Sequence, residues 1–117
     1  MSITRLHTND RMSQAVIHGE TIYLAGQVAS TAHGASVGNQ TKAILGQIDD
    51  LLSEAGSEKS KILSATIWLT SMDNFDEMNA VWDAWVHKGN APCRACVESP
   101  RLAKPQFAVE IGIIAAK

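Results

Sequence analysis

The chain lacks a charge excess of either sign, long apolar runs and the usual catalytic signatures. Its 117 residues carry ten Lys and Arg against twelve Asp and Glu, a formal net charge of -2. The cations are scattered, with no basic run and no aromatic residues between them. That argues against nucleic acid or an anionic membrane as a partner. No window approaches the roughly 20 apolar residues of a spanning helix. Residues 1–7 contain no apolar signal-peptide core, so a cytoplasmic location is expected. There is no internal repeat, no G-x-S-x-G and no glycine-rich phosphate loop. The four histidines (7, 18, 33 and 87) show no ligand spacing, so no metal site is expected.

What is present fits one domain, residues 1–117, with a single core. Residues 3–6 can form an edge strand. Residues 13–18 and 21–25 flank Gly19 and Glu20, a two-residue glycine turn that predicts a hairpin. Gly26 is expected to end the second strand, with residues 27–37 as loop. The spacing of Ile44, Ile48, Leu51, Leu52 and Ala55 predicts a helix over 39–55, capped by Ser36 or Asn39 and closed by Gly56.

Residues 62–69 form the clearest strand. Leu63, Ala65, Ile67 and Leu69 alternate with Ile62, Ser64, Thr66 and Trp68. Neither set is charged, and two helices cover only one face of a small sheet, so the second face predicts a subunit interface. A second helix is expected over 73–87, with Asp73 as N-cap and a core stripe of Phe75, Met78, Trp82 and Trp85. Two strands, 93–97 and 107–114, complete an α+β layout: a mixed sheet of about six strands with two helices on one face.

The last two strands each embed a charge. Cys93-Arg94-Ala95-Cys96 matches C-x-x-C, but it follows Pro92 and precedes β-prone residues. A redox pair of this kind sits at a helix N-terminus, and on a strand positions i and i+3 point to opposite faces. In a cytosolic setting both thiols are also expected to be reduced. Arg94 shares a strand face with Cys96, and Glu110 shares one with the small residues Ala108 and Gly112. Two readings stay open on these residues alone. One is an Arg94–Glu110 salt bridge joining strands or subunits; the other is a site for a small carboxylate.

These stretches resemble the Rid family of reactive-intermediate deaminases, the YjgF-type proteins. The likeness is carried by Arg94-Ala95-Cys96-Val97-Glu98 followed by Val109-Glu110-Ile111, with Gly26-Gln27, residues 61–70 and residues 75–82 in support. The resemblance implies a chorismate-mutase-like subunit in a homotrimer, with sites in the clefts between subunits and no cofactor. It implies hydrolysis of 2-imino or 2-enamino acids, released by pyridoxal-phosphate enzymes, to 2-oxo acids and ammonia. By position, Arg94 binds the substrate carboxylate and Glu110 activates water. Cys96 lines the pocket, Gly26 lies at its mouth and Asn79 lies nearby. Met12 stands where family members carry tyrosine, and Ala25 where they often carry serine, so the expected pocket loses two hydroxyls. Those losses motivate the alternative of a non-catalytic trimeric module that binds small carboxylates. A nuclease role, known in some members, finds no basic groove here.

Overall fold

The computed structural model describes residues 2–32 and 34–117. Met1 and His33, one of the four histidines weighed above, lie outside the described residues. The elements run β1 (Ile3–Leu6), β2 (Ala15–His18), β3 (Thr21–Gln27), α1 (Val37–Glu54), β4 (Ile62–Leu69), α2 (Phe75–Trp85), β5 (Cys93–Glu98) and β6 (Val109–Ala116). They form one six-stranded sheet in the order β1-β2-β3-β6-β4-β5. Only β4 and β5 pair in parallel; the other pairings are antiparallel. The expected α+β layout is the one observed.

Local chemistry explains most of the boundaries. His18 pairs with Thr21, and Gly19 takes φ 62° between them, a conformation that costs glycine least. Ser36 caps α1 by accepting from the Asn39 N–H at 3.2 Å. At the other end Gly56 adopts φ 86°, while Ser57 N–H reaches Leu52 O at 2.8 Å and Gly56 N–H reaches Ser53 O at 3.1 Å. That pair of bonds satisfies carbonyls which the helix leaves open.

Both helices lie on one sheet face. Beneath them are buried Ile22 and Leu24 of β3, Ala65, Ile67 and Leu69 of β4, and Val109, Ile111, Ile113 and Ala115 of β6. From above, α1 contributes Ile44, Leu45, Ile48 and Leu52, and α2 contributes Met78 and Trp82. No described helix is long and apolar enough to cross a membrane.

Four expectations need correction. Gly26 does not end its strand, because Gln27 pairs again with Ile111 after a bulge and is buried. Leu63 is 51% exposed while Ile62 is buried, because the register shifts between Ile62 and Ser64 and exchanges the two. Asp73 is not the cap of α2: it sits in a 3-10 turn, Met72–Asn74, whose own cap is Ser71. The helix also stops at Trp85, where Val86 turns extended, two residues short of His87.

The opposite sheet face carries no helix. Register places Tyr23, Ser64, Thr66, Trp68, Glu110, Gly112 and Ile114 there, with Ala95 and Val97 at the edge. Tyr23 is 47% and Val97 45% exposed in the single chain. The uncharged second face expected around β4 therefore extends across the sheet, interrupted in these strands by Glu110.

Candidate functional site

Glu110 stands on β6 directly across from Trp68 of β4. On its other side is the β3 bulge. Leu24 pairs with Ile113 and Gln27 with Ile111, which leaves Ala25 and Gly26 together opposite Gly112. A Cβ placed on Gly26 would meet the Glu110 carboxylate, with Cδ at 3.0 Å and Cγ at 3.3 Å. The glycine is thus required by close approach, and the carboxylate rests on bare backbone. Similarly, a Cβ on Gly112 would touch the Trp68 ring at 3.4 Å, so the indole spreads over Gly112 and walls the carboxylate. Burial pushes the Glu110 carboxyl above its ordinary value, because the charged form loses hydration there. The Glu110 carboxylate forms no hydrogen bond or ion pair with another described residue.

Arg94 lies elsewhere. It pairs with Ala65, whose side chain is under the helices, so Arg94 points to the helix-covered face. There its guanidinium stands 5.4 Å from the Trp82 ring and 5.9 Å from the Phe75 ring. Cation–π contact with two rings orients the planar group without using its N–H donors. Among the described residues those donors have no hydrogen-bond partner. Among those residues the one contact with ion-pair geometry joins His7 and Glu54, at 2.8 Å and not involving Arg94.

Cys96 pairs with Ile67 and shares the Arg94 face, as its spacing predicts. Burial pushes its thiol up, and the Arg94 charge acts in the opposite direction. Asn79 lies on α2, one turn from both Phe75 and Trp82, and its Oδ1 is buried without a hydrogen-bond partner. Cys93 is exposed and its Sγ–H donates to Leu63 O at 3.2 Å, so the C-x-x-C thiols do point to opposite faces.

The residues singled out from the sequence therefore form two half-sites. Gly26, Ala25 and Glu110 gather at the bulge on the open face. Arg94 and Cys96 share the helix-covered face of β5, with Asn79 on α2 one turn from the two rings that support Arg94. Met12 joins neither cluster through a hydrogen bond; it is 40% exposed in a turn pinned by Asn9, whose Oδ1 accepts from Met12 N–H at 2.9 Å. The Arg94–Glu110 salt bridge is not formed within the chain, since the two side chains leave the sheet on opposite faces. Sequence reading missed Trp68 as a wall and Phe75 and Trp82 as the shelf for Arg94. Both were visible as residues, but their roles depend on strand register. Among the described residues, no three or more His, Cys, Asp or Glu are grouped to hold a metal.

Comparison with known proteins gives one answer. The family model described as endoribonuclease L-PSP matches residues 2–117. The RutC family protein YoaB of Escherichia coli is 43% identical over 116 residues, covering 99% of each chain. A member of the YjgF protein family from Neisseria meningitidis superposes with TM-score 0.96 at 45% identity, covering 100% of this chain and 96% of that one. A Rid-family protein from Yersinia pestis superposes with TM-score 0.90 at 28% identity, covering 99% and 100%. The fold is the chorismate-mutase-like α+β arrangement of the YjgF structures. The chain belongs to the endoribonuclease L-PSP family, that of the RutC, YjgF and Rid proteins.

Proposed function

We propose that this protein hydrolyses 2-imino and 2-enamino acids to 2-oxo acids and ammonia, as a homotrimer with its sites between subunits. The reading rests on an oriented guanidinium without a partner, Arg94 over Phe75 and Trp82, in a chain whose Glu110 carboxylate is raised by burial. Family membership supports a role with small metabolites, and the scattered cations fit a small ligand better than RNA. Arg94 and Glu110 leave the sheet on opposite faces, so a site using both draws them from different chains. Two features favour that assembly: β5 is an edge strand, and the open face offers an apolar surface to a neighbour.

In this reading Arg94 holds the substrate carboxylate through two parallel charge-assisted hydrogen bonds. Glu110 takes a proton from a water as its oxygen adds to the imine carbon. Glu110 passes that proton to the imine nitrogen, giving a neutral carbinolamine; as its C–N bond breaks, the hydroxyl proton passes through Glu110 to the nitrogen, which leaves as ammonia, and the carbonyl forms. No oxidation occurs and no cofactor is called for. A carboxylate raised by burial is a better base than an ordinary one, and Trp68 limits competing water. The walls at Met12 and Ala25 bring no hydroxyl, so positioning falls mainly on Arg94.

The test couples the protein to an amino-acid oxidase that releases the imine and follows 2-oxo acid formation. Acceleration by wild type, and much less by Arg94→Ala at low imine concentration, is expected. No acceleration by wild type would refute deamination. The missing hydroxyls at Met12 and Ala25 favour a second reading, a trimeric module that binds small carboxylates without turnover. Calorimetry with 2-oxo acids would then show binding that Arg94→Ala abolishes.

A further inference from the structure

The β3 bulge beside Glu110 is closed by side chains. Ala25 and Gly26 leave the β3–β6 ladder, and such an interruption leaves backbone groups to be held by other means. Gln27 is 5% exposed, and a buried amide needs its donors and acceptor matched. Its Nε2 donates to Ala25 O at 3.0 Å, reaching back across the bulge, and to Gln14 Oε1 at 2.9 Å. Its Oε1 accepts from Gln47 Nε2 of α1 at 3.1 Å. Gln47 in turn donates to Val28 O at 2.9 Å and accepts from Ser30 N and Oγ at 3.2 and 2.9 Å. A relay of two glutamine amides, Gln47 and Gln27, thus runs from the helix layer to the backbone on which the carboxylate rests, with Gln14 accepting from Gln27 at its side.

We propose that Gln27 is a positioning residue for Glu110: by clasping Ala25 O it holds the bulge that sets Gly26 under the carboxylate, and Gln47 steadies it from α1. Gln27 points toward the helices and does not reach substrate, so it acts through the backbone. The inference builds on Glu110 as the water-activating group, yet its main readout needs no turnover. The groups facing Glu110 are Thr66 and Trp68 of β4, Ala25 and Gly26 of β3, and Gly112 of β6. Within the chain the nearest ionisable side chain of these strands on that face is Tyr23, which pairs with Ile114 four residues along β6; in the proposed trimer the Arg94 of a neighbouring chain also faces Glu110, and it is present in every variant compared. The Glu110 midpoint therefore reports where its carboxylate sits.

The experiment is a carboxyl-carbon NMR titration of the intact chain, with Glu110→Gln to assign the signal. Gln27→Met keeps the volume and removes the amide. The Glu110 midpoint is expected to fall toward the ordinary glutamate value in Gln27→Met and, less far, in Gln47→Met. Asp49→Asn, which alters the α1 acceptor of Trp85 Nε1, is expected to leave it in place. In turnover, Gln27→Met should lose about tenfold or more in kcat with KM near wild type, as misplacement of a catalytic group does. A midpoint unchanged in Gln27→Met overturns the inference, whether or not the Tm falls. If Gln27→Met does not fold, Gln47→Met decides by the same two outcomes. If wild type hydrolyses no imine, deamination fails while the titration still decides the role of Gln27.

Discussion

Replacing Gly26 by alanine should separate stability from activity. The new methyl group would stand 3.0 Å from Glu110 Cδ and 3.3 Å from Cγ, and closer still to the carboxylate oxygen. Backbone conformation is no obstacle, because Gly26 is not among the glycines with positive φ. The Glu110 side chain must yield, and it is a flexible one. Pushing it off its rotamer costs about 0.5–1.5 kcal/mol. Against this, alanine restricts the unfolded chain and returns about 0.4–1 kcal/mol. The net change is under about 1 kcal/mol, so the Tm should move by no more than about 5 °C. Catalysis responds to geometry instead, and a carboxylate moved by about 1 Å can lose about a hundredfold in rate. Thermal melts beside the coupled imine assay measure both. A Gly26→Ala variant with wild-type kcat would refute the placement of Glu110 as the base. A large fall in Tm would show that the carboxylate cannot yield as argued.

Other perturbations address the remaining groups. Arg94→Ala should raise KM by roughly 10- to 100-fold, the loss of charge-assisted hydrogen bonds worth about 1.5–3 kcal/mol. Its Tm should fall by about 5–10 °C at most, since the two cation–π contacts at partly exposed sites contribute about 0.5–1 kcal/mol each; an unchanged KM would remove Arg94 from the site. Glu110 has a carboxyl raised in the fold, so the folded state holds this proton more tightly than the unfolded chain does. Its contribution to stability is therefore full below the ordinary value of 4.5 and declines as pH rises through the folded value. Glu110→Gln should accordingly melt above wild type at neutral pH, and the gap should close below pH 4.5; a gap that widens in acid would contradict the desolvation argument. Ile114→Glu, on the open face at 36% exposure, should leave the subunit folded and shift a trimer to monomer in sedimentation. A persistent trimer would place the interface elsewhere.

Much of the fold was legible because each element carries its own periodicity. The stripe from Ile44 to Leu52 announces α1, and alternation along residues 65–69 announces β4. Glycine turns at Gly19 and Gly56 then place the ends. What the residues do not encode locally is which face a strand presents after a register shift. The bulge between Leu24 and Gln27 turned an apparent strand end at Gly26 into the seat of Glu110. The shift between Ile62 and Ser64 exchanged a buried and an exposed aliphatic residue. The positions of Arg94 and Glu110 were read correctly as charges within strands. Their opposite faces follow only from the pairings Arg94 with Ala65 and Glu110 with Trp68. The stripe Phe75, Met78, Trp82 and Trp85 was half core, and its flank became the aromatic support of a cation. Ser71, rather than Asp73, caps the turn before α2, a choice between two neighbouring caps that spacing does not decide.

The strand order has a consequence for how the chain is made. β6, the last strand in chain order, lies between β3 and β4, which share no other neighbour in the sheet. During synthesis the β1–β3 meander and the β4–β5 pair therefore share no strand pairing, and each exposes an edge to be joined later. When β6 leaves the ribosome it closes both edges at once, and it brings Glu110 with it. Completion of the sheet and arrival of the carboxylate are one event, so a nascent chain holds the guanidinium before it holds the carboxylate.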